Sequence, residues 1–482
     1  MIKRQLHHES DQILNSRRTF LTSTANGLGM CALASLINEN CSAFPPRLQK
    51  VEPRAKRVIY LFQSGGPSHC DLFDPKPALN THAGKELPDS IRKSQRITTM
   101  TSKQDSLPVL PSPYKFEHHG ESGIQLSELL PQIGNHADDL CLIRSMHTEA
   151  INHDPAITFF QTGFQLAGRP SIGAWVSYGL GTINKDLPTY VALTSQGGNG
   201  SQPLYSRLWG SGFLPTKHAG VKLRNTGSPV FYLADPPGIK RHIRRDMLDD
   251  LGELNRLQLD IVANPEIRNR IEQYELAFRM QQSIPELADI ADETEETLAL
   301  YGPEVTQPGT FARNCLLARR LAERDVRFIQ LFHMGWDHHT KLKSLLPKLA
   351  TSIDQPVSGL LTDLKRLGLL EDTLVVLCGE FGRTAYSQSP GDNAGRDHHP
   401  YCFTSLLAGA GVKGGHVHGS TDDFGYNVAD NPVHVHDFNA TVLHLLGIDH
   451  EQLTYKYQGR QYRLTDVHGN PVQEILTPNI TT

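Results

Sequence analysis

The chain has 482 residues, of which 38% are hydrophobic, enough to build a sizeable core. Its formal charge of −4 supplies no overall basic field, which sets aside nucleic-acid binding as its main business. Seven cysteines without one CxxC pair set aside zinc ribbons, thioredoxin-type redox sites and ferredoxin clusters.

At the N-terminus, Ser16-Arg17-Arg18-Thr19-Phe20-Leu21 precedes an uncharged run of small and moderately apolar residues to Ile37, followed by Cys41-Ser42-Ala43. Paired arginines before a modest apolar run and a small-residue cleavage site predict a twin-arginine signal peptide over 1–43. The expected partner is the twin-arginine export machinery, and the expected destination is the periplasm or the cell surface. The run is too short and polar for a stable membrane anchor, and no later stretch approaches a span. Residues 44–56, rich in Pro, Lys and Arg, read as a linker to a single domain over 57–482. The five cysteines beyond the leader are irregularly spaced and make no disulfide framework.

From residue 57 onward, short β-branched runs alternate with longer helical patterns, which predicts an α/β fold with a mostly parallel central sheet flanked by helices. The predicted strands are Val58–Phe62, Leu140–Arg144, Tyr190–Leu193, Arg327–Phe332, Leu374–Cys378 and Cys402–Leu407. A helical insertion is expected at about 241–300, opening on a solvated basic run, Lys240 to Arg245. Within it, Asn264-Pro265 caps a helix that puts Ile267, Ile271, Tyr274 and Phe278 on one face. Phe311, Cys315, Ala318 and Ala322 do the same in the helix before Arg327.

The chemistry gathers after the strands. Val58–Phe62 leads into Gln63-Ser64-Gly65-Gly66 and then His69, Asp71 and Asp74; Leu140–Arg144 leads into Ser145, Thr148, His153 and Asp154. Arg327–Phe332 leads into Asp337-His338-His339, and Leu374–Cys378 into Glu380, Arg383 and Asp397-His398-His399. Ligands bind open α/β sheets beyond the carboxyl ends of the strands. A mixed imidazole and carboxylate set suits Zn, Mn or Fe. Asp337 and His339, two apart, point the same way in extended backbone and are expected to share an ion. Asp397 and His398 are adjacent, so one would ligate while the other orients it.

The strings GGPSHCDLFDPKP, RSMHTEAINHDPA, LFHMGWDHH, TLVVLCGEFGRT, GRDHHPYCFTSLLAGAGVKGG and HVHDFNATVLHLLGIDH resemble the bacterial domain-of-unknown-function 1501 family from about Arg57 to about Asp466. That family resembles a branch of the alkaline phosphatase/sulfatase superfamily. The resemblance implies an alkaline phosphatase-like domain with one or two divalent ions, Zn or Mn. It implies Asp337, His339, Glu380 and His398 (or His399) as metal residues, with Asp397 beside them. At the first strand, Gln63-Ser64 occupies the place of the superfamily's ligand Asp, so Asp71 (or His69 or Asp74) would substitute from the loop. No formylglycine signature is present; Thr148 is the expected nucleophile, with Ser64 and Ser145 as rivals. Asp437 reads as structural.

The function expected is a metal-dependent hydrolase of sulfate or phosphate esters, acting on a small molecule or a polysaccharide. Arg383 would offset charge on the transferred group, and His153 or His398 would protonate the leaving alcohol. The alternative is a catalytically inactive exported protein that binds through the same scaffold.

Overall fold

The computed structural model describes residues 51–198, 202–224, 230, 235, 238–262, 264–389 and 391–478. The leader expected at 1–43, and residues 44–50 of the linker, lie outside them.

In chain order, the strands of the main sheet and of the ribbon beside the site are β1 (Arg57–Ser64), β2 (Leu140–His147), β3 (Tyr190–Gln196), β4 (Val221–Lys222), β5 (Phe328–Met334), β6 (Thr373–Cys378), β7 (Gly382–Ser387), β8 (Arg396–His399), β9 (Phe403–Ala408), β10 (His416–His418) and β11 (Val433–His434). The helices that frame them are α1 (His153–Thr162), α2 (Ile172–Leu180), α3 (Arg241–Val262), α4 (Pro265–Ala288), α5 (Phe311–Glu323), α6 (Leu342–Arg366) and α7 (Val435–Leu445). One nine-stranded sheet runs in the order β10-β2-β9-β6-β1-β5-β3-β4, with β11 also paired to β2. Every pairing in it is parallel except those of β9, which runs against both β2 and β6.

The parallel strands are continuous apolar runs because helices cover both faces. Along β1 the side chains alternate between two cores. Ile59 and Leu61 join α5 and α6 on one face, where Leu316, Leu321, Leu360 and Leu364 pack. Val58, Tyr60 and Phe62 join α1, α2 and α7 on the other, among Phe160, Trp175 and Phe438. Several strands run two or three residues further than their apolar stretches: β1 to Ser64, β2 to His147 and β3 to Gln196. Parallel pairing carries the backbone on, so Gln63 pairs beside His333 and Ser64 beside Met334.

The helix signals act as their chemistry dictates. The Asn264 side chain accepts from the Glu266 N–H at 3.0 Å, ahead of a first-turn proline, to open α4. Thr310 accepts from the Arg313 N–H at 3.1 Å to open α5, whose Phe311, Cys315, Ala318 and Ala322 are buried. Among the described residues, no helix is long and apolar enough to cross a membrane.

Candidate metal centre

The carboxyl ends of β1, β5 and β6, neighbours in the sheet, open onto a single crevice. His153 reaches it from the first turn of α1, where Asn152 stands at the cap position in extended backbone and Asp154 suits the helix dipole. Asp337 and His339 follow β5. His398 comes from β8, which forms a two-stranded ribbon with β7 and sets His398 opposite Arg383.

One donor atom from each of His153, Asp337, His339 and His398 lies within 4.8 Å of all the others. His339 Nε2 is 2.8 Å from Asp337 Oδ1, His153 Nε2 is 3.2 Å from Asp337 Oδ2, and the Nε2 atoms of His339 and His398 are 3.0 Å apart. The other ring nitrogens are all occupied. His153 Nδ1 donates to Glu380 Oε1 at 2.7 Å, and His398 Nδ1 donates to the Ile151 carbonyl at 2.8 Å. His339 Nδ1 bonds Gln388 Oε1. Carboxylate and carbonyl oxygens only accept, so each neutral ring carries its proton on Nδ1 and aims the Nε2 lone pair inward. His153 Nε2 is buried and makes no aligned hydrogen bond. Lone pairs converging at this spacing repel unless a cation stands among them. The donor set, three imidazoles and a carboxylate, fits a divalent transition metal.

The electrostatics agree. Burial pushes the Asp337 carboxyl up, but the adjacent imidazoles of His153, His339 and His398, which donate to it when they carry a proton on Nε2 in the metal-free chain, and the charge of Arg383 outweigh it and hold the group ionised far below the usual range. Burial lowers His153, yet the nearby carboxylates of Asp337, at 3.2 Å from Nε2, and Glu380, bonded to Nδ1, raise it to about 9. Burial brings His398 down to about 4, with Arg383 adding to the effect of burial and Asp337 opposing it. Exposure decides how open the crevice is. The His398 side chain is 5% exposed and that of Asp337 28%, so the centre meets solvent on the Asp337 side.

Several expected site residues stand behind the centre. Glu380 is fully buried and accepts from the Gly65 N–H at 2.9 Å as well as from His153, so it orients that ring from outside the four-donor cluster. Asp71, expected as a ligand, is a correction: both its oxygens are taken by Arg396, at 2.7 and 3.0 Å, and Ser68 donates to it at 2.5 Å. A buried carboxylate whose charge is already matched by a bidentate guanidinium is held away from the four-donor cluster and neutralised without a cation. Asp397 takes the hydroxyls of Thr98 and Thr101 on Oδ2 and the His398 N–H on Oδ1, 3.9 Å from His339 Nδ1. Arg383, expected to face a transferred group, spends its donors on Asp337 and on the carbonyls of Gly65, Gly66 and Arg396.

The Thr148 hydroxyl is buried without a partner, as is that of Ser64, and Ser145 donates to the Asn431 carbonyl. None of the three hydrogen-bonds any of the four donors. His399 turns away to the Tyr426 carbonyl, His69 to that of Gly425, and Asp74 pairs with Lys76. With the Nε2 atoms of His153 and His398 both turned into the four-donor cluster and their Nδ1 atoms bonded behind it, neither ring has a nitrogen directed at a leaving alcohol. Gln388, the Ile151 carbonyl, Thr98 and Thr101 complete the support, and no spacing in the sequence marks them.

The sequence profile of the family described as protein of unknown function (DUF1501) matches residues 55–476. No curated protein matches the chain. Among solved structures, it is similar to the phosphonate monoester hydrolase SpPMH from Silicibacter pomeroyi, at 14% identity over 73% of each chain with a TM-score of 0.31. It is similar also to the PsFucS1 sulfatase from Pseudoalteromonas sp., at 13% identity over 82% of this chain and 68% of that one with a TM-score of 0.33. A third is the lipoteichoic acid synthase LtaP from Listeria monocytogenes, at 10% identity, 88% and 76% coverage and a TM-score of 0.35. With the profile spanning nearly all of the sequence from Ala55 to Leu476, the chain belongs to the DUF1501 family.

Proposed function

We propose that the chain is an exported metal-dependent hydrolase of sulfate or phosphate esters. The observation that carries this reading is the convergence of His153, His339 and His398 Nε2 with Asp337, each ring locked from behind through Nδ1. Ligating histidines in metal sites are oriented by such outer hydrogen bonds. A divalent ion of the Zn or Mn class supplies a Lewis acid that lowers the pKa of water and polarises an ester oxygen. Asp337, His153, His339 and His398 would hold it, Glu380 would keep His153 in its ligating tautomer, and Arg383 would fix the Asp337 carboxylate. An ester would approach from the Asp337 side, the partly exposed edge of the cluster.

The test is metal content and turnover of generic aryl sulfate and aryl phosphate esters, comparing wild type with Asp337→Ala and Glu380→Gln. Loss of metal and of turnover is expected in Asp337→Ala, and metal affinity ten- to a hundred-fold weaker, roughly, in Glu380→Gln. Equal turnover in all three would sink the assignment. A second reading rests on four protein donors being the number found in closed, structural metal sites. Stoichiometric metal with no turnover of any ester would favour it.

Export rests on the Arg17-Arg18 pair and the run behind it. Fractionation should find the wild-type chain outside the cytoplasm and an Arg17→Lys/Arg18→Lys double variant retained. Equal export of both would reject the twin-arginine route.

A further inference from the structure

A second group of histidines lies where β2, β11 and the start of α7 meet, and shares no residue with the metal centre. A cleft of about 440 Å³ is lined there by Glu149, His434, His436, Asp437, Glu451 and His468. Most of these side chains have settled partners. Asp437 accepts from the backbone N–H groups of His434, at 3.0 Å, and Asn470, at 2.7 Å. Glu451 pairs with Arg463. His434 accepts from the His436 N–H on Nδ1 and so donates from Nε2 to Glu149 Oε1 at 2.9 Å.

His436 is different. It is only 5% exposed, and its Nε2 donates to the Gly163 carbonyl at 3.0 Å. That bond fixes the tautomer and leaves Nδ1, turned from Gly163, as a buried lone pair without any partner. His468 lies parallel over the ring, 5.1 Å away at 11°, and is itself exposed. An unsatisfied acceptor of this kind costs about 1–3 kcal/mol unless something binds it. The surrounding carboxylates exclude an anion. An imidazole lone pair beside a second imidazole and a carboxylate suits a borderline transition-metal cation.

We infer that this cleft is a second, weaker transition-metal site, with His436 Nδ1, His468 and Glu149 as ligands and His434 holding Glu149 in place. It is weaker because it is not preassembled: among the described residues, only the first centre has its donors within 4.8 Å of one another. Here the exposed His468 must swing off the His436 ring to bring donors to the about 2.0–2.2 Å that zinc requires.

Calorimetric titration of the metal-stripped mature chain with Zn²⁺ alone tests this. Two classes of site are expected, one ion each. His468→Ala and Glu149→Gln, both at exposed positions that do not threaten the fold, should each weaken the looser class at least tenfold and leave the tighter one unchanged, whereas His339→Ala should remove only the tighter. A looser class that survives both substitutions, or a single class lost in His339→Ala, overturns the inference. A single class lost in His468→Ala and kept in His339→Ala would instead overturn the first centre and leave this one standing.

Discussion

At the first centre, protons and metal compete for the same nitrogen. In the metal-free chain His153 is held between Asp337 and Glu380 and keeps its proton up to about 9, burial being outweighed by the two carboxylates. A raised histidine contributes stability that is full below its ordinary value near 6.5 and is lost as pH climbs through the folded value. Ligation through Nε2 needs that proton gone. Apparent Zn²⁺ affinity should therefore fall about tenfold per pH unit below 9 and level off above it. Competition against a chelator of known affinity across pH 5.5–9.5 measures the slope. A flat profile would show that His153 is no ligand.

At the scale of elements, the centre depends on how closely the turns after β1 and β5 approach. Gly65 has φ +122°, and a Cβ there would stand 2.7 Å from the Asp337 backbone nitrogen. Backbone cannot move aside as a side-chain tip can, so the β1 turn must end in glycine to let the Asp337 loop close on it. Gly65→Ala should cost roughly 1–3 kcal/mol in unfolding and lower zinc affinity, since Glu380 is anchored on the Gly65 N–H. Gly84→Ala is the control: φ is +73° with nothing near the added carbon, so the strain comes without displacement of the centre. Denaturant melts with zinc titrations of both should separate them; equal zinc affinity in the two variants would show that the close approach is unimportant. The ribbon β7–β8 works by register. His398 pairs opposite Arg383, and the shift between Arg396 and His398 lets Asp397 turn back to the His398 N–H.

At the scale of the molecule, the four proposed ligands come from segments that only the finished sheet brings together, so binding there would be coupled to folding. An ion that binds only the folded chain stabilises it by about 2.7 kcal/mol at a hundred times its Kd. Thermal melts should rise with Zn²⁺, return with EDTA, and not respond to tight-site concentrations of zinc in His339→Ala. The same rise in that variant would place the stabilising ion elsewhere. The buried Asp71–Arg396 pair ties the first helical turn after β1 to β8, 325 residues on, and holds the ribbon against the sheet.

The architecture was legible in the linear sequence because its causes are local. Buried parallel strands must be continuous apolar runs, the Asn264-Pro265 pair announces the helix it caps, and polar residues collect where strands end. Asp337, His339, His153 and His398 were all within reach of that reading. What each carboxylate does was not legible. Asp71 and Glu380 sit after strands just as Asp337 does, yet one meets a guanidinium 325 residues away and the other an imidazole 227 residues away. Whether a buried carboxylate grips a cation, orients a ligand or pins a strand is set by the group opposite it, and only tertiary packing chooses that group.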